Sequence, residues 1–259
     1  MKIGLDVDNT IVNTTSCVIA QHYADTGERL TLDDIKTYYI ENYVSDDYKD
    51  DFHLIFLKKE MWKRVKVIPH CLEVIKRLHD RGDSIYFVTS TEPQNITKKA
   101  RFLQRTFPFL DIRKCLITTH CKQMIGVDIL IDDYEMNLIN GSYFGILMDY
   151  PWNRNFDESE YDNIYRVFNW LQVEPMIEYI QTLKSSNENK EITSEDSTKN
   201  PNVINSSIIP LFLDDKQIGV VRQIENGVMS GEISLGNLSV EMLQLSDSKY
   251  EVKAIRIKR

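Results

Sequence analysis

Two aspartates stand two residues apart in the opening stretch MKIGLDVDNTIVNT, directly after an apolar run that reads as a β-strand. Carboxylates gathered at one point can grip a hard cation, attack an electrophile or exchange a proton. A lone Asp-x-Asp is also an ordinary turn or helix cap, so Asp6 and Asp8 decide nothing by themselves. Three later stretches change their meaning. One strand-like run ends in Thr89-Ser90-Thr91, another ends in Asp132-Asp133, and Lys122 lies just upstream of the second. Four acids, hydroxyls and a lysine would then converge at one edge of a sheet.

Strands are expected at Lys2–Val7, Ser84–Thr89, Cys115–Thr119, Val127–Ile131 and Phe144–Met148. Several are continuous apolar runs rather than alternations, as parallel strands covered on both faces require. Helical spacing is read at Pro69–Arg81, which stops at Gly82, and at Gln94–Phe107 and Tyr161–Leu171. Alternating strands and helices predict an α/β fold, in which ligands bind beyond the carboxyl ends of the strands. Residues 11–68 break the alternation. Helices are expected there over Val12–Thr26, Thr31–Tyr39 and Asp50–Trp62, with many aromatics, so the stretch reads as a helical cap inserted after strand one. Residues 184–201 are almost wholly polar and aperiodic, which predicts a flexible linker. It would join a core of residues 1–183 to a small β-rich module, 202–259, with turns at Asp214-Asp215 and Glu225-Asn226-Gly227.

The formal net charge of −8 argues against a broad electrostatic grip on nucleic acid or anionic lipid. Cys17, Cys71, Cys115 and Cys121 form no CxxC pair and no zinc-spaced cluster, and read as reduced thiols. No apolar run is long enough to span a membrane, and Asp6 arrives before a signal-peptide core could form. A cytoplasmic protein is expected. The scattered histidines, His22, His53, His70, His79 and His120, are read as non-catalytic.

The order DxDxT, a strand ending in Thr, a Lys and a strand ending in Asp-Asp resembles the haloacid dehalogenase (HAD) superfamily of phosphotransferases, over roughly residues 1–183. The resemblance implies a HAD-like Rossmannoid parallel sheet and a Mg²⁺ ion held by Asp6, Asp8, Asp132 and Asp133. One member of the Asp132-Asp133 pair would ligate the ion directly. Asp6 would attack phosphorus to give an aspartyl-phosphate, while Asp8 protonates the leaving oxygen and later deprotonates water. Thr89, Ser90 and Lys122 would hold phosphate oxygens. An acid at position 8 is what the phosphatase and phosphomutase branches carry, and a cap after strand one favours small substrates.

VDILIDD, ending at Asp133, and MDYPWNRNF at 148–156 are similar to segments of the 5′(3′)-deoxyribonucleotidases of cytosolic and mitochondrial type. That family's second phosphate-binding lysine points to Lys99, with Lys98 as the neighbouring alternative. The chain departs from the family in having Asn9-Thr10 where Gly-Val is usual. The resemblance implies a Mg²⁺-dependent phosphatase acting on nucleoside monophosphates. Its rivals are a phosphatase for another small phosphoester or a nucleic-acid 3′-phosphate end, and an adaptor acting through its C-terminal module. That module is expected to serve association with a second copy or a protein partner. Tyr39, Tyr43, Phe52 and Trp62 are the cap aromatics that could meet substrate, and Trp152 and Arg154 could structure the loop after strand five.

Overall fold

Six short parallel strands form the centre of the first part of the chain: β1 (Lys2–Leu5), β2 (Ser84–Thr89), β3 (Leu116–Thr118), β4 (Ile129–Asp132), β5 (Phe144–Met148) and β6 (Ile164–Val167). Their order is β3-β2-β1-β4-β5-β6, so β1 lies in the middle, flanked by β2 and β4. Because all six run the same way, the carboxyl ends of β1, β2 and β4 share one edge, and Asp6, Thr89 and Asp132 arrive there together. This computed structural model describes residues 1–192 and the strands within 208–257, with side chains described through Ser185. It divides into two compact units, Met1–Val173 and Glu174–Arg259. Among the described residues no helix is long and apolar enough to cross a membrane.

Within the first unit, α4 (Cys71–Asp80) buries Cys71, Val74, Ile75 and Leu78, an apolar stripe at helical spacing. It ends where Gly82 takes φ +98°, which a residue without a Cβ adopts freely. Pro93 opens α5 (Pro93–Thr106), whose buried Asn95, Lys99 and Leu103 fall on one face four residues apart. One short helix, α6 (Ile112–Cys115), leads into β3.

The cap leaves and rejoins the core through a narrow stem, where Val12 bridges Val67 and Ile68 N–H donates to Ile11 O at 2.8 Å. Of its three expected helices, only the first forms at length, as α1 (Thr14–Thr26). The stretch expected as Thr31–Tyr39 is a single 3₁₀ turn, Leu32–Asp34. Both the backbone N–H and the hydroxyl of Thr31 donate to Asp34 at 2.7 Å, and Ile35 then turns extended. Residues 50–62 likewise break into a 3₁₀ segment, Phe52–Leu57, and α3 (Lys59–Arg64), preceded by the one-turn α2 (Asp46–Lys49). Packing explains the difference. Cys17, Val18, Ile35, Val44, Phe52, Ile55 and Met61 converge on a small cap core, and short turns bring them there without a continuous apolar stripe.

A second correction concerns Tyr161–Leu171, expected as a helix. It holds β6 and the 3₁₀ turn Trp170–Gln172. Ile164, Val167 and Trp170 recur every three residues, which imitates a helical face, but pairing of Gly145 with Ile164 and Met148 with Val167 extends the sheet instead. The helix α7 (Val173–Ile192), which starts at the last residue of the first unit, continues into the stretch expected as linker, so residues 184–192 are helical. The remainder, 193–201, lies outside the described residues, as do the turns expected at Asp214-Asp215 and Glu225-Asn226-Gly227. The strands β7 (Ile208–Leu213), β8 (Lys216–Gln223), β9 (Val228–Ile233), β10 (Leu238–Ser246) and β11 (Lys249–Ile257) form an antiparallel meander.

Trp170 is fully buried, and its indole N–H donates to Thr10 O at 2.7 Å, clamping the loop that follows the two aspartates. Replacing Trp170 by Phe removes the donor and strands a buried carbonyl, which costs about 1–3 kcal/mol before any repacking. We expect a lower denaturant midpoint at an unchanged slope; an unaltered midpoint would show that the clamp contributes nothing to stability.

Candidate active site

Lys122, from a 3₁₀ turn between β3 and β4, is only 1% exposed. Its ammonium bonds to Asp6 Oδ1 and, at 2.7 Å, to Asp132 Oδ2. The Asp132 carboxylate is further occupied by Asn137 Nδ2 at 3.1 and 3.2 Å and by the Tyr134 backbone N–H at 3.0 Å. Asp133 differs. Among the described residues its carboxylate accepts a hydrogen bond from Asn9 Nδ2 alone, at 3.2 Å, whereas its backbone carbonyl accepts from Asn153 at 2.8 Å and Trp152 at 3.2 Å. Asp6, Asp132 and Asp133 are all buried, with one carboxylate oxygen from each inside a 4.8 Å group.

Asp8, expected as a fourth metal ligand, stands outside that group. Its carboxylate accepts from the Thr14 hydroxyl at 2.6 Å and from the Lys99 ammonium, which also donates to Thr89 Oγ1 at 2.9 Å. Lys99 is buried in the site, while Lys98 turns away to Leu57 O at 3.3 Å, so the structure separates the two lysine candidates. The Ser90 hydroxyl donates to Thr119 O at 2.9 Å, and Ser90 lines the cavity above the acids.

Four carboxylates face two ammonium groups, and the imbalance is felt electrostatically. Burial, opposed by Lys122 and reinforced by Asp132 and Asp8, pushes the Asp6 carboxyl up to about 7. Burial and the charges of Asp6 and Asp132 hold Asp133 well above the usual carboxylate range. A buried group of oxygen donors with excess negative charge fits a hard divalent cation. Asp6 and Asp133 have the coordination sites to offer, since Asp132 is already engaged.

A cavity of about 520 Å³ opens between the acids and the cap. Asp8, Asn9, Ser90 and Lys99 line its floor, and Tyr38, Tyr39, Phe56 and Trp62 come from the cap. Of the cap aromatics expected near substrate, Tyr39 and Trp62 line this space. Phe52 is buried in the cap core, and Tyr43 packs against that core instead. His53 and His120, read as non-catalytic, also border the cavity. Trp152 both lines it and packs into the cap core, whereas the exposed Arg154 pairs with Asp149 at 2.9 Å and shapes the loop. Thr14 and Asn137, which help hold the acids in place, carried no spacing signal by which sequence could have found them; Asn153 stood inside the family-like MDYPWNRNF run and Asn9 at the departure from the family, but neither position showed which acid it serves.

The model of the family described as 5′ nucleotidase, deoxy (pyrimidine), cytosolic type C protein matches residues 1–184. The chain belongs to this family. The chain is 26% identical over 180 residues to a 5′(3′)-deoxyribonucleotidase of Clostridium acetobutylicum, covering 69% of this chain and 96% of that one. Among solved structures, a HAD family hydrolase from Deinococcus radiodurans shares the fold with a TM-score of 0.50 at 12% identity, over 70% of this chain and 96% of that one. Membership makes the chain a phosphoric monoester hydrolase with a HAD-type α/β fold.

The raised Asp6 carboxyl sets a pH signature. With its folded value above the unfolded one, the native protein binds more protons than the unfolded chain between the ordinary carboxylate range and about 7. Cation-free stability should therefore fall as pH rises through that window. A divalent cation replaces the proton, so its stabilising shift in Tm should be larger at about pH 8 than at about pH 5. A Tm shift independent of pH would mean that the cation does not reach these acids.

Proposed function

We propose that this chain is a Mg²⁺-dependent phosphatase that releases phosphate from nucleoside monophosphates, deoxyribonucleotides foremost, through an aspartyl-phosphate on Asp6. The observation that carries the reading is the pairing of a buried acid–lysine floor with an aromatic cavity. Phosphate requires cations below, and a flat base requires apolar walls above. The name of the Clostridium acetobutylicum relative supports the deoxyribonucleotide preference.

Asp6 and Asp133 would hold Mg²⁺, with Asp132 fixing Lys122 beside them. Bound there, the cation screens the repulsion between a carboxylate and a phosphate dianion. An Asp6 oxygen attacks phosphorus, the P–O bond to the nucleoside breaks, and its electron pair leaves on the ester oxygen. Asp8, entering this step as the protonated acid, gives the proton that oxygen needs; its side chain lines the cavity apart from the cation-binding acids. Water then attacks the aspartyl-phosphate, gives its proton to Asp8 and restores Asp6. Thr89, Ser90, Lys99 and Lys122 steady the oxygens that carry charge between the two steps. We assign the C-terminal unit to association, with a second copy or a protein partner.

Asp6→Asn keeps the shape but removes the attacking charge and a cation ligand. Turnover should drop by several orders of magnitude, and a variant retaining a tenth of wild-type activity would refute the nucleophile. Tyr39→Ala or Phe56→Ala should raise KM for a deoxyribonucleotide by about 5- to 150-fold, the worth of one base–aromatic stack, with little change on a simple aryl phosphate. Phe52→Ala should instead lower thermal stability, by about 3–5 kcal/mol, because Phe52 packs in the cap core. Equal losses on both substrates at Tyr39 would show a purely structural role. A chain ending at Lys184 should hydrolyse as the full chain does but sediment as a smaller species. Lost activity in a folded truncation would place the C-terminal unit in the chemistry.

A further inference from the structure

Asn9 is not explained by the chemistry above, and its conformation is unusual. Its φ is +56°, a left-handed backbone that costs most side chains energy, although Asn bears it better than most. The loop holds it there through Asn9 N–H donating to Val12 O at 2.7 Å. Only glycine would sit at this position without strain, yet the chain carries an amide. Both ends of that amide are used. Its Oδ1 accepts the Thr15 backbone N–H at 2.9 Å, in the first turn of α1, and its Nδ2 donates to Asp133 Oδ2 at 3.2 Å. The first contact fixes the amide's orientation, because a backbone N–H can only donate, so the NH₂ must face the carboxylate.

We propose that Asn9 is a positioning residue that aims the Asp133 carboxylate into the cation site and ties that aim to the start of the cap helix. The neighbouring contact supports it. Thr14, one residue before Thr15, donates its hydroxyl to Asp8 Oδ1 at 2.6 Å, so the first turn of α1 grips both halves of the Asp8-Asn9 pair. Asp132 is held by Lys122, Asn137 and a backbone N–H, whereas Asp133 depends on Asn9 for its side-chain orientation. A carboxylate left free to rotate must be ordered by the cation itself, and that cost is subtracted from binding. The proposal rests on the reading of Asp6 and Asp133 as cation ligands.

The test uses the full chain and Mg²⁺ alone, followed by thermal unfolding. Asn9→Gly is at ease at φ +56° and removes only the amide. Asn9→Asp keeps an acceptor for the Thr15 N–H but sets a carboxylate against Asp133. For Asn9→Gly, the Mg²⁺ concentration needed to reach a given Tm shift should rise about 10- to 100-fold, the usual effect of losing a ligand's outer partner. For Asn9→Asp, the Mg²⁺-free Tm should fall below wild type, and the Mg²⁺-induced gain should exceed it. Wild-type Mg²⁺ response in Asn9→Gly, or a wild-type Mg²⁺-free Tm in Asn9→Asp, would overturn the role of Asn9. If the unaltered protein gave no Mg²⁺ shift at all, the cation reading would fall, and this assignment with it.

Discussion

Gathering three carboxylates inside a protein is strongly unfavourable, and the rest of the molecule is arranged around making it tolerable. The Lys122 ammonium spans Asp6 and Asp132 and supplies the charge closest to both. It is buried with them, so the group forms a fixed salt-bridged floor rather than a solvated patch. One ammonium cannot balance three acids, and Asp6 and Asp133 remain reluctant to ionise. That residual imbalance suits the group to a hard cation. A floor made wholly neutral would be easier to fold and would hold none.

Four acids sharing one edge could titrate as an undivided cluster, yet the geometry splits them. Lys122 collects Asp6 and Asp132, and Lys99 collects Asp8 together with Thr89. Each lysine reaches the edge from a different element, one from the turn before β4 and the other from α5. The split leaves two carboxylates in different surroundings, the kind of division by which one fold can run acid and base chemistry side by side.

Much of this edge was legible in the sequence. Parallel strands announce themselves as uninterrupted apolar runs, and where such a run stops at Asp or Thr, the side chain can only emerge at the sheet's edge. Asp6, Thr89 and Asp132 follow from that logic, whereas Lys122 and Lys99 were assigned only by the resemblance, which left Lys98 open beside Lys99. The strand β6 was not legible, because Ile164, Val167 and Trp170 repeat every three residues and the strand exists only by pairing with β5. The cap resisted for a related reason. Its apolar residues meet in three dimensions from short turns, so periodicity along the chain carries little of the order that packing imposes. Asn137 is invisible on the same ground: a single amide has no pattern until the carboxylate it serves is in place.

Trp152 shows how the two layers of the site are made into one. Its indole N–H donates to the Asp133 carbonyl at 3.2 Å while its ring packs among the cap residues Cys17, Ile35 and Phe52. Beside it, Asn153 donates to the same carbonyl, and its own oxygen accepts from Arg166 on β6 at 2.8 Å. Arg166 is anchored in turn by Glu158 at 2.9 Å and Asp149 at 3.1 Å. The edge strand that periodicity misread is therefore what braces the acidic turn from behind, and the cap braces it from above. A turn carrying two adjacent aspartates would otherwise relax to separate their charges. Held at the carbonyl from both sides, it keeps them converged.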